Sequence, residues 1–429
     1  MTPSSRTPGS LAVTVIFGVA ACLVVSCIVI YPDQILESSL EGLSIWWKIV
    51  FPALLPFLII IEIMTGLGIM HFTGGLLDPV MRRLFRMPGL AGWCLAVGWL
   101  SGAPAAARQI AKLRKDGVFT RHQAEQLMGL AHAASPVLVV TVISAGFLAQ
   151  PGLGLPLLAI HWLSAALAAI AARQRSGAGA AGNTQLTPPA AAQTAEHGLL
   201  LSSLRAMEQA RTADGRPIGR LLGDSVFDSI QKLMVIGGYM IFFSVLIKIV
   251  LLLGIGQVIL QFAGDALQAF GLPSVLATAG WHGLFEQHLG TYALHSAPAD
   301  RWTMAAVSGM LGWSGWCLHA QAKAAAAGTD LRYRAFLAFR LTHAMTGTAL
   351  TLLLYPLLGI QPSATPGFQA TGDALPAWSD REAVAYSYPD WPSILQLNVL
   401  LLVLAAGVVA VLAFASAAIV ATGRQAKRR

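Results

Sequence analysis

The sequence predicts an all-α, polytopic membrane protein of about 8–10 helical segments, arranged in two internal repeats with re-entrant or broken helices. Three observations support this: few charges, long apolar stretches and motifs that recur in the two halves. Of the 429 residues, 55% are hydrophobic and only 11% are charged, whereas a soluble domain has about 25% charged residues. The mean hydropathy of +0.65 therefore excludes an ordinary soluble enzyme, because a soluble fold needs a polar surface.

The apolar stretches are long enough to cross a bilayer, which takes about 20 residues in a helix. We predict membrane spans at residues 11–31, 50–72, 126–149, 153–172, 233–253, 335–358 and 393–421. Residues 274–296 are a weaker candidate because they contain Glu286. Residues 88–107 and 302–318 are shorter or are broken by glycine and proline, so we do not expect them to be ordinary spans.

The sequence lacks the motifs expected of a nucleic-acid-binding protein, a metalloprotein or an enzyme. The net charge is +8, but the basic residues form short runs between apolar stretches, which is typical of cytoplasmic loops and not of a nucleic-acid surface. The four cysteines lie in apolar segments without metal-ligand spacing, so no metal site and no cofactor is predicted. Walker, GxSxG, HExxH and dinucleotide-binding patterns are absent from the sequence, and we predict a protein that is not an enzyme.

Composition divides the chain into two membrane halves. Residues 1–172 form the first predicted repeat and residues 223–429 the second. The intervening residues 173–222 are rich in Ala, Gly, Gln and Pro, which predicts a flexible cytoplasmic linker. The acidic residues after the first span and the basic C-terminal tail together place both termini in the cytoplasm, and the acidic segment 360–392 suits an outside loop.

The two halves share motifs in the same order. Residues 98–102 (Gly-Trp-Leu-Ser-Gly) have a counterpart in residues 312–315 (Gly-Trp-Ser-Gly). Upstream, Glu62 and Glu286 each stand four residues before a glycine, and a His-Ala pair follows downstream in each half. One such match could arise by chance, but three in one order indicate an internal duplication. Repeats of this size are typical of secondary transporters, whose site lies between the repeats.

The motif segments predict two helix breaks. Ser101, Gly102 and Pro104 mark the first, since proline removes an N–H group and glycine lets a ligand approach the backbone. Ser314 and Gly315 mark the second. A helix that starts at such a break presents free N–H groups to an anion. Basic clusters flank the first segment on both sides, which favours re-entry from the cytoplasm, and a plain crossing is the alternative.

Ionisable residues inside the apolar segments are candidate coupling residues. Glu62 has no basic neighbour in sequence, and a carboxylate at membrane depth is costly unless it is paired, protonated or facing water. Glu286 and His282 are four residues apart, so on a continuous helix they share a face and form a candidate pair for protons or a cation. For both carboxyl groups, the structural alternatives are an interhelical hydrogen bond from a protonated glutamate and a side chain that reaches the membrane interface.

Other polar residues next to the breaks are candidate substrate ligands. His319 and Gln321 follow the second break, and a histidine with satisfied hydrogen bonds is the alternative for His319. Ser135 precedes Pro136 and is expected to loosen its helix opposite the first break, although a simple proline kink is the more conservative interpretation.

Several short motifs in the chain match the pattern of a known family. The matching motifs lie in residues 45–57, 84–89, 101–104, 113–114, 124–125, 283–290 and 319–321. Together they resemble the YlbJ-type sporulation integral membrane proteins over about residues 10–360. The stretch at 45–57, with two tryptophans followed by Pro-x-x-x-Pro-Phe, is the most specific part. In two places the chain differs from the family pattern: His288 replaces a small hydroxyl residue, and residues 132–135 replace a run richer in Asn and Ser.

The resemblance implies two nucleoside-recognition (Gate) domains, distantly similar to concentrative nucleoside transporters, and a role in endospore formation. It also implies transport of dipicolinate across a forespore membrane. Our leading hypothesis is a transporter or facilitator for a small anionic metabolite, with protons or sodium as coupling ions. A membrane scaffold for spore-assembly proteins and a nucleoside or ion transporter are the alternatives.

These hypotheses also predict the location of the protein and its partners. We expect a multi-pass protein of the cell membrane or the outer forespore membrane, in contact with the lipid bilayer and without nucleic acid. A homo-oligomer or an assembly with other spore membrane proteins is compatible with the sequence.

Overall fold

The computed structural model describes residues 9–175 and 199–357, and within these ranges it is helical without β-strands. The described helices that are long and apolar enough to cross a membrane are Leu11–Ile30, Pro32–Gly66, Pro151–Ala172, Ile218–Leu252 and Tyr333–Leu357. The predicted class, an all-helical polytopic membrane protein, is therefore confirmed. The predicted outside loop at 360–392 and the span at 393–421 lie outside the described residues.

In the first range, five short helices stand between the second helix and the last one, which is again long enough to cross a membrane. The helices of this range are α1 (Gly9–Ile30), α2 (Pro32–Gly66), α3 (Ile69–Val80), α4 (Leu90–Ser101), α5 (Ala103–Lys115), α6 (Arg121–Ala131), α7 (Leu138–Phe147) and α8 (Gly154–Arg175). Helix α7 is π-helical, and π turns also occur within α2 at Trp46–Val50 and after α3 at Met81–Phe85.

The second range contains one long helix, shorter helices before and after it, and a final span. These helices are α9 (Leu199–Asp214), α10 (Ile218–Leu252), α11 (Ile255–Ala269), α12 (Val275–Phe285), α13 (Gln287–Tyr292), α14 (Arg301–Trp313), α15 (Gly315–Ala325) and α16 (Tyr333–Leu354).

The predicted span at 50–72 is wrong at both ends. Helix α2 starts at Pro32, where a missing N–H costs nothing because the first turn has no acceptor for it. It ends at Gly66, and the chain turns at Gly68 with a φ of 80°. A side chain on Gly68 would overlap the backbone of Met207, so only glycine fits this close approach.

The predicted span at 126–149 is also wrong, because α6 and α7 are separate helices. Helix α6 ends at Ala131, and an irregular segment precedes Pro136. Proline cannot donate the hydrogen bond that would continue α6. Ser135 Oγ instead accepts the N–H of Leu138 at 3.3 Å and so supports the start of the next helix. The interruption is thus larger than a proline kink.

The weak span candidate at 274–296 is a helical hairpin. Gly283 in α12 and Gly290 in α13 pack so closely that a side chain on Gly290 would overlap the Gly283 backbone. In one straight helix, residues seven positions apart would be about 10 Å apart. The chain therefore folds back at Glu286, and neither arm is long enough to cross a membrane alone.

The prediction of a flexible linker at 173–222 fails for its second part. Residues 199–214 form α9, which packs against α3, and α10 begins at Ile218. The α9 sequence is rich in Leu, Ala and Arg, which are strong helix formers, and the close contact of Ser203 with Gly75 anchors it. Residues 176–198 lie outside the described part.

The two halves are joined through the tryptophan motif of α2. Trp46 is buried, and its indole N–H donates to the carbonyl of Leu233 in α10 at 3.0 Å. Its ring covers Gly237, where a Cβ would lie 2.5 Å from the ring. The motif therefore lets α2 and α10 approach closely across the boundary between the halves.

Two ion pairs also join the halves, at loops that follow the two breaks. Arg114 at the end of α5 pairs with Asp330 at 2.9 Å, and Glu125 in α6 pairs with Arg332 at 2.8 Å. The hydrogen bond from Arg114 holds the pKa of the Asp330 carboxyl below its ordinary value. Both basic loops therefore lie at the same end of the protein, which is the arrangement that the charge distribution predicts.

Glu125→Gln is expected to destabilise this junction. The carboxylate is 6% exposed and accepts three hydrogen bonds from Arg332, so its loss should cost about 1.5–3 kcal/mol. The free energy of unfolding in detergent measures this. Arg82→Gln, which removes an exposed pair with Asp78, is the control and should cost about 0.5 kcal/mol or less. Equal effects of the two changes would contradict a role for Glu125 at the junction.

Candidate functional site

The first predicted break is present. Helix α4 ends at Ser101, Gly102 has a φ of 103° and a ψ of 151°, and α5 starts at Ala103 with Pro104 in its first turn. This backbone conformation suits only glycine. The Ser101 side chain is buried, and its Oγ makes no hydrogen bond to any described residue.

The second predicted break is present as well and contacts the α12–α13 hairpin. Ser314 and Gly315 both have left-handed backbones, with φ values of 71° and 74°. A Cβ on Gly315 would lie 2.7 Å from the carbonyl oxygen of Phe285 and 3.0 Å from Cα of Glu286. Glycine is therefore required by its conformation and by its neighbours, and the predicted residues Ser314, Gly315 and Glu286 lie together.

Glu286 is buried at the hairpin turn, with 3% of its surface exposed. One carboxylate oxygen is 2.6 Å from Nδ1 of His288, and the other accepts the N–H of Leu289 at 2.9 Å. The predicted pairing with His282 is wrong, since His282 Nδ1 is bonded to the carbonyl of Thr278. The N–H of Glu286 still donates to the His282 carbonyl at 2.8 Å, but α12 ends there, and the Glu286 carboxylate is bonded to His288 and Leu289 instead.

Glu62 has a basic partner that its sequence neighbours do not reveal. It forms an ion pair with Lys232 of α10, and the two side chains are 17% and 29% exposed. Glu62 lies within the continuous helix α2, so it is not at a break. In the described part of the chain, no contact joins Glu62 to Glu286, and the two carboxylates form separate sites.

Other predicted ligands are bonded to protein groups. His319 is buried, with Nε2 bonded to the Trp313 carbonyl and Nδ1 to the Tyr333 hydroxyl, both at 3.0 Å. This is the pattern of a satisfied histidine. Gln321 donates to Cys317 Sγ at 3.3 Å. These side chains hold the helix after the second break in place.

Arg340, which the sequence reasoning missed, contacts the second break. It lies in α16, is 0% exposed, and donates to the Ser314 hydroxyl, to the Leu311 carbonyl at 2.8 Å and to His343 Nδ1 at 3.1 Å. A single arginine within the apolar stretch 335–358 was the available signal.

Aromatic and histidine side chains connect the two breaks. Trp99, two residues before Ser101, stacks on Trp162 of α8 with ring centroids 4.3 Å apart. The preceding residue, His161, has its ring centroid 4.5 Å from that of His343, which is one turn from Arg340. Helices α5 and α15, which follow the two breaks, also pack against each other. The breaks therefore belong to one contiguous buried region between the halves.

Comparison with known proteins identifies the family. Residues 47–170 match the Gate family, described as nucleoside recognition. The chain is also 33% identical over 329 residues to the sporulation integral membrane protein YlbJ of Bacillus subtilis (strain 168), covering 76% of this chain and 79% of that protein. The chain belongs to the YlbJ family. No solved structure matches this YlbJ-family chain.

The Gate match extends from the tryptophan motif in α2 into α8 and includes the first break. Its range lies within the first half of this YlbJ-family protein. The second Gate domain that the resemblance implies, in residues 223–429, stays a prediction. The same holds for the substrate-binding and coupling roles of the individual residues.

Proposed function

We propose that this protein transports a small anionic metabolite across a membrane during endospore formation, and that dipicolinate is the cargo. The observation that carries the proposal is the buried region where the broken segments at Gly102 and Ser314 come together between the two halves. Broken helices between repeats are typical of the substrate sites of secondary transporters. The name of the B. subtilis relative supports the connection with sporulation.

The chemistry of the region favours an anion. Helix α5 begins directly at the Gly102 break, so its first N–H groups have no acceptor within the helix. The positive end of its dipole also points to the break. Arg340 brings a formal positive charge to the other break. Glu286 and His288 form the candidate proton site for coupling, because their side chains are buried and hydrogen-bonded to each other.

Location and orientation follow from the same proposal. The protein crosses the cell membrane or the outer forespore membrane, and the basic ends of α5 and α15 face the cytoplasm. The cargo then enters or leaves the buried region by separation of the two halves on one side at a time. Protons or sodium ions are the coupling ions.

Uptake of radiolabelled dipicolinate by proteoliposomes tests the proposal. We expect saturable uptake above that of protein-free liposomes, and a change in its rate when a pH gradient is imposed. Absence of uptake under both conditions would contradict transport. A scaffold function would then be favoured if deletion of the segment 176–198 or the tail 422–429 abolishes sporulation while Glu286→Gln leaves it intact.

A further inference from the structure

The Arg340 side chain is a fully buried cation without an acidic partner in the described part of the chain. It lies seven residues inside the candidate span Tyr333–Leu357 and is 0% exposed. The ion pairs of the described residues do not include it. The buried carboxylate beside the second break, Glu286, is bonded to His288 and Leu289. An unpaired buried charge costs several kcal/mol, so such residues are typically kept for function.

The hydrogen bonds of Arg340 within the described chain leave one donor of a carboxylate-binding edge, the Nε–H group, without an acceptor. Its partners are all neutral: the Leu311 carbonyl, the Ser314 hydroxyl and His343 Nδ1. The Nε–H group has no acceptor among the described residues, although it is buried. In a guanidinium group, Nε–H and a neighbouring Nη–H form the planar fork that binds both oxygens of a carboxylate.

The surroundings of Arg340 hold further polar atoms without partners. His161 Nδ1 and His132 Nε2 are buried and make no hydrogen bond to described residues. His161 touches His343, and the ring of His132 touches Phe336, one turn before Arg340. Unsatisfied polar atoms are rare in a folded interior, and several around one cation indicate a ligand site.

We propose that Arg340 binds a carboxylate of the transported anion, which takes the place of the Ser314 hydroxyl at the second break. The exchange replaces a neutral acceptor by a charged one and gives the buried guanidinium its counter-charge. Ser314 is suited to this exchange because it lies in the break itself, with a left-handed backbone between the two helices. The inference rests on the proposed function and identifies the residue that selects an organic anion over a neutral molecule.

The test compares Arg340→Gln with Arg334→Gln, which removes an exposed charge from the same helix. Thermal unfolding of the purified full chain is measured with and without dipicolinate, and with the uncharged pyridine-2,6-dicarboxamide. We expect dipicolinate, but not the diamide, to raise the unfolding temperature of the wild type and of Arg334→Gln. Arg340→Gln should lose this response and should show at least a roughly tenfold lower dipicolinate uptake in proteoliposomes.

The outcomes separate the two proposals. A folded Arg340→Gln protein that dipicolinate stabilises as well as the wild type would overturn the role of Arg340. Binding to the wild type without uptake would leave the Arg340 site in place and contradict transport. If Arg340→Gln does not fold, Arg340→Lys decides: a dissociation constant at least about tenfold higher supports the bidentate contact, and an unchanged constant overturns it.

Discussion

Glu286→Gln is expected to abolish the response of dipicolinate uptake to a pH gradient, with a loss of at least about tenfold in the gradient-driven rate. The glutamine oxygen can still accept the N–H of Leu289, so the start of α13 is preserved. The amide can neither carry the negative charge nor exchange a proton with His288. The reconstituted variant is measured with and without the gradient.

The matched control is Asp300→Asn. Asp300 is also a carboxylate at the start of a helix in the second half, and it accepts the N–H groups of Trp302 and Thr303 at 3.0 and 2.8 Å. It has no histidine partner among the hydrogen bonds of the described residues, so this variant should retain coupled uptake. If Glu286→Gln retained the full response to the gradient, the proposed proton site would be wrong.

Glu62→Gln and Lys232→Gln are each expected to lower the free energy of unfolding by about 1–3 kcal/mol. Each change leaves the other charge of the pair without its partner between α2 and α10. The double variant should recover more than half of the loss, because it removes both charges together. A double-mutant cycle of unfolding in detergent gives the coupling energy.

Glu37→Gln is the control for the same pair of helices. Glu37 also faces a lysine of α10, Lys248, at 4.0 Å, but its side chain is 63% exposed. An exposed pair of this kind contributes about 0–1 kcal/mol. If the losses of the two single variants at Glu62 and Lys232 simply add, the pair contributes no coupling. If the folded double variant transports without coupling to a gradient, Glu62 is a coupling residue and not only a structural one.

The helical membrane class was predictable because it depends on composition and apolar length, which are properties of local sequence. The breaks at Gly102 and Ser314 were predictable for a similar reason, since small residues and proline change the backbone where they stand. The hairpin at Glu286 was not predicted, because it depends on the close packing of Gly283 against Gly290, seven residues apart.

Partners distant in sequence could not be predicted. Lys232, the partner of Glu62, is 170 residues away, and the loop residue Arg332 lies 207 residues from Glu125. The pairing of Glu286 with His282 assumed a continuous helix and failed where the helix ended. Arg340 was different: its position in an apolar stretch was visible in the sequence, but only its contact with Ser314 connects it to the break.

Competition in the uptake assay tests the central claim, which is that the contiguous region between the two breaks carries an organic anion. Proteoliposomes with the wild-type chain are given radiolabelled dipicolinate and an excess of unlabelled picolinate, nucleoside or pyridine-2,6-dicarboxamide. The account predicts saturable uptake that picolinate reduces and that the nucleoside and the diamide do not. Uptake that is no greater than in protein-free liposomes, or that the uncharged diamide reduces as strongly as picolinate, would contradict it.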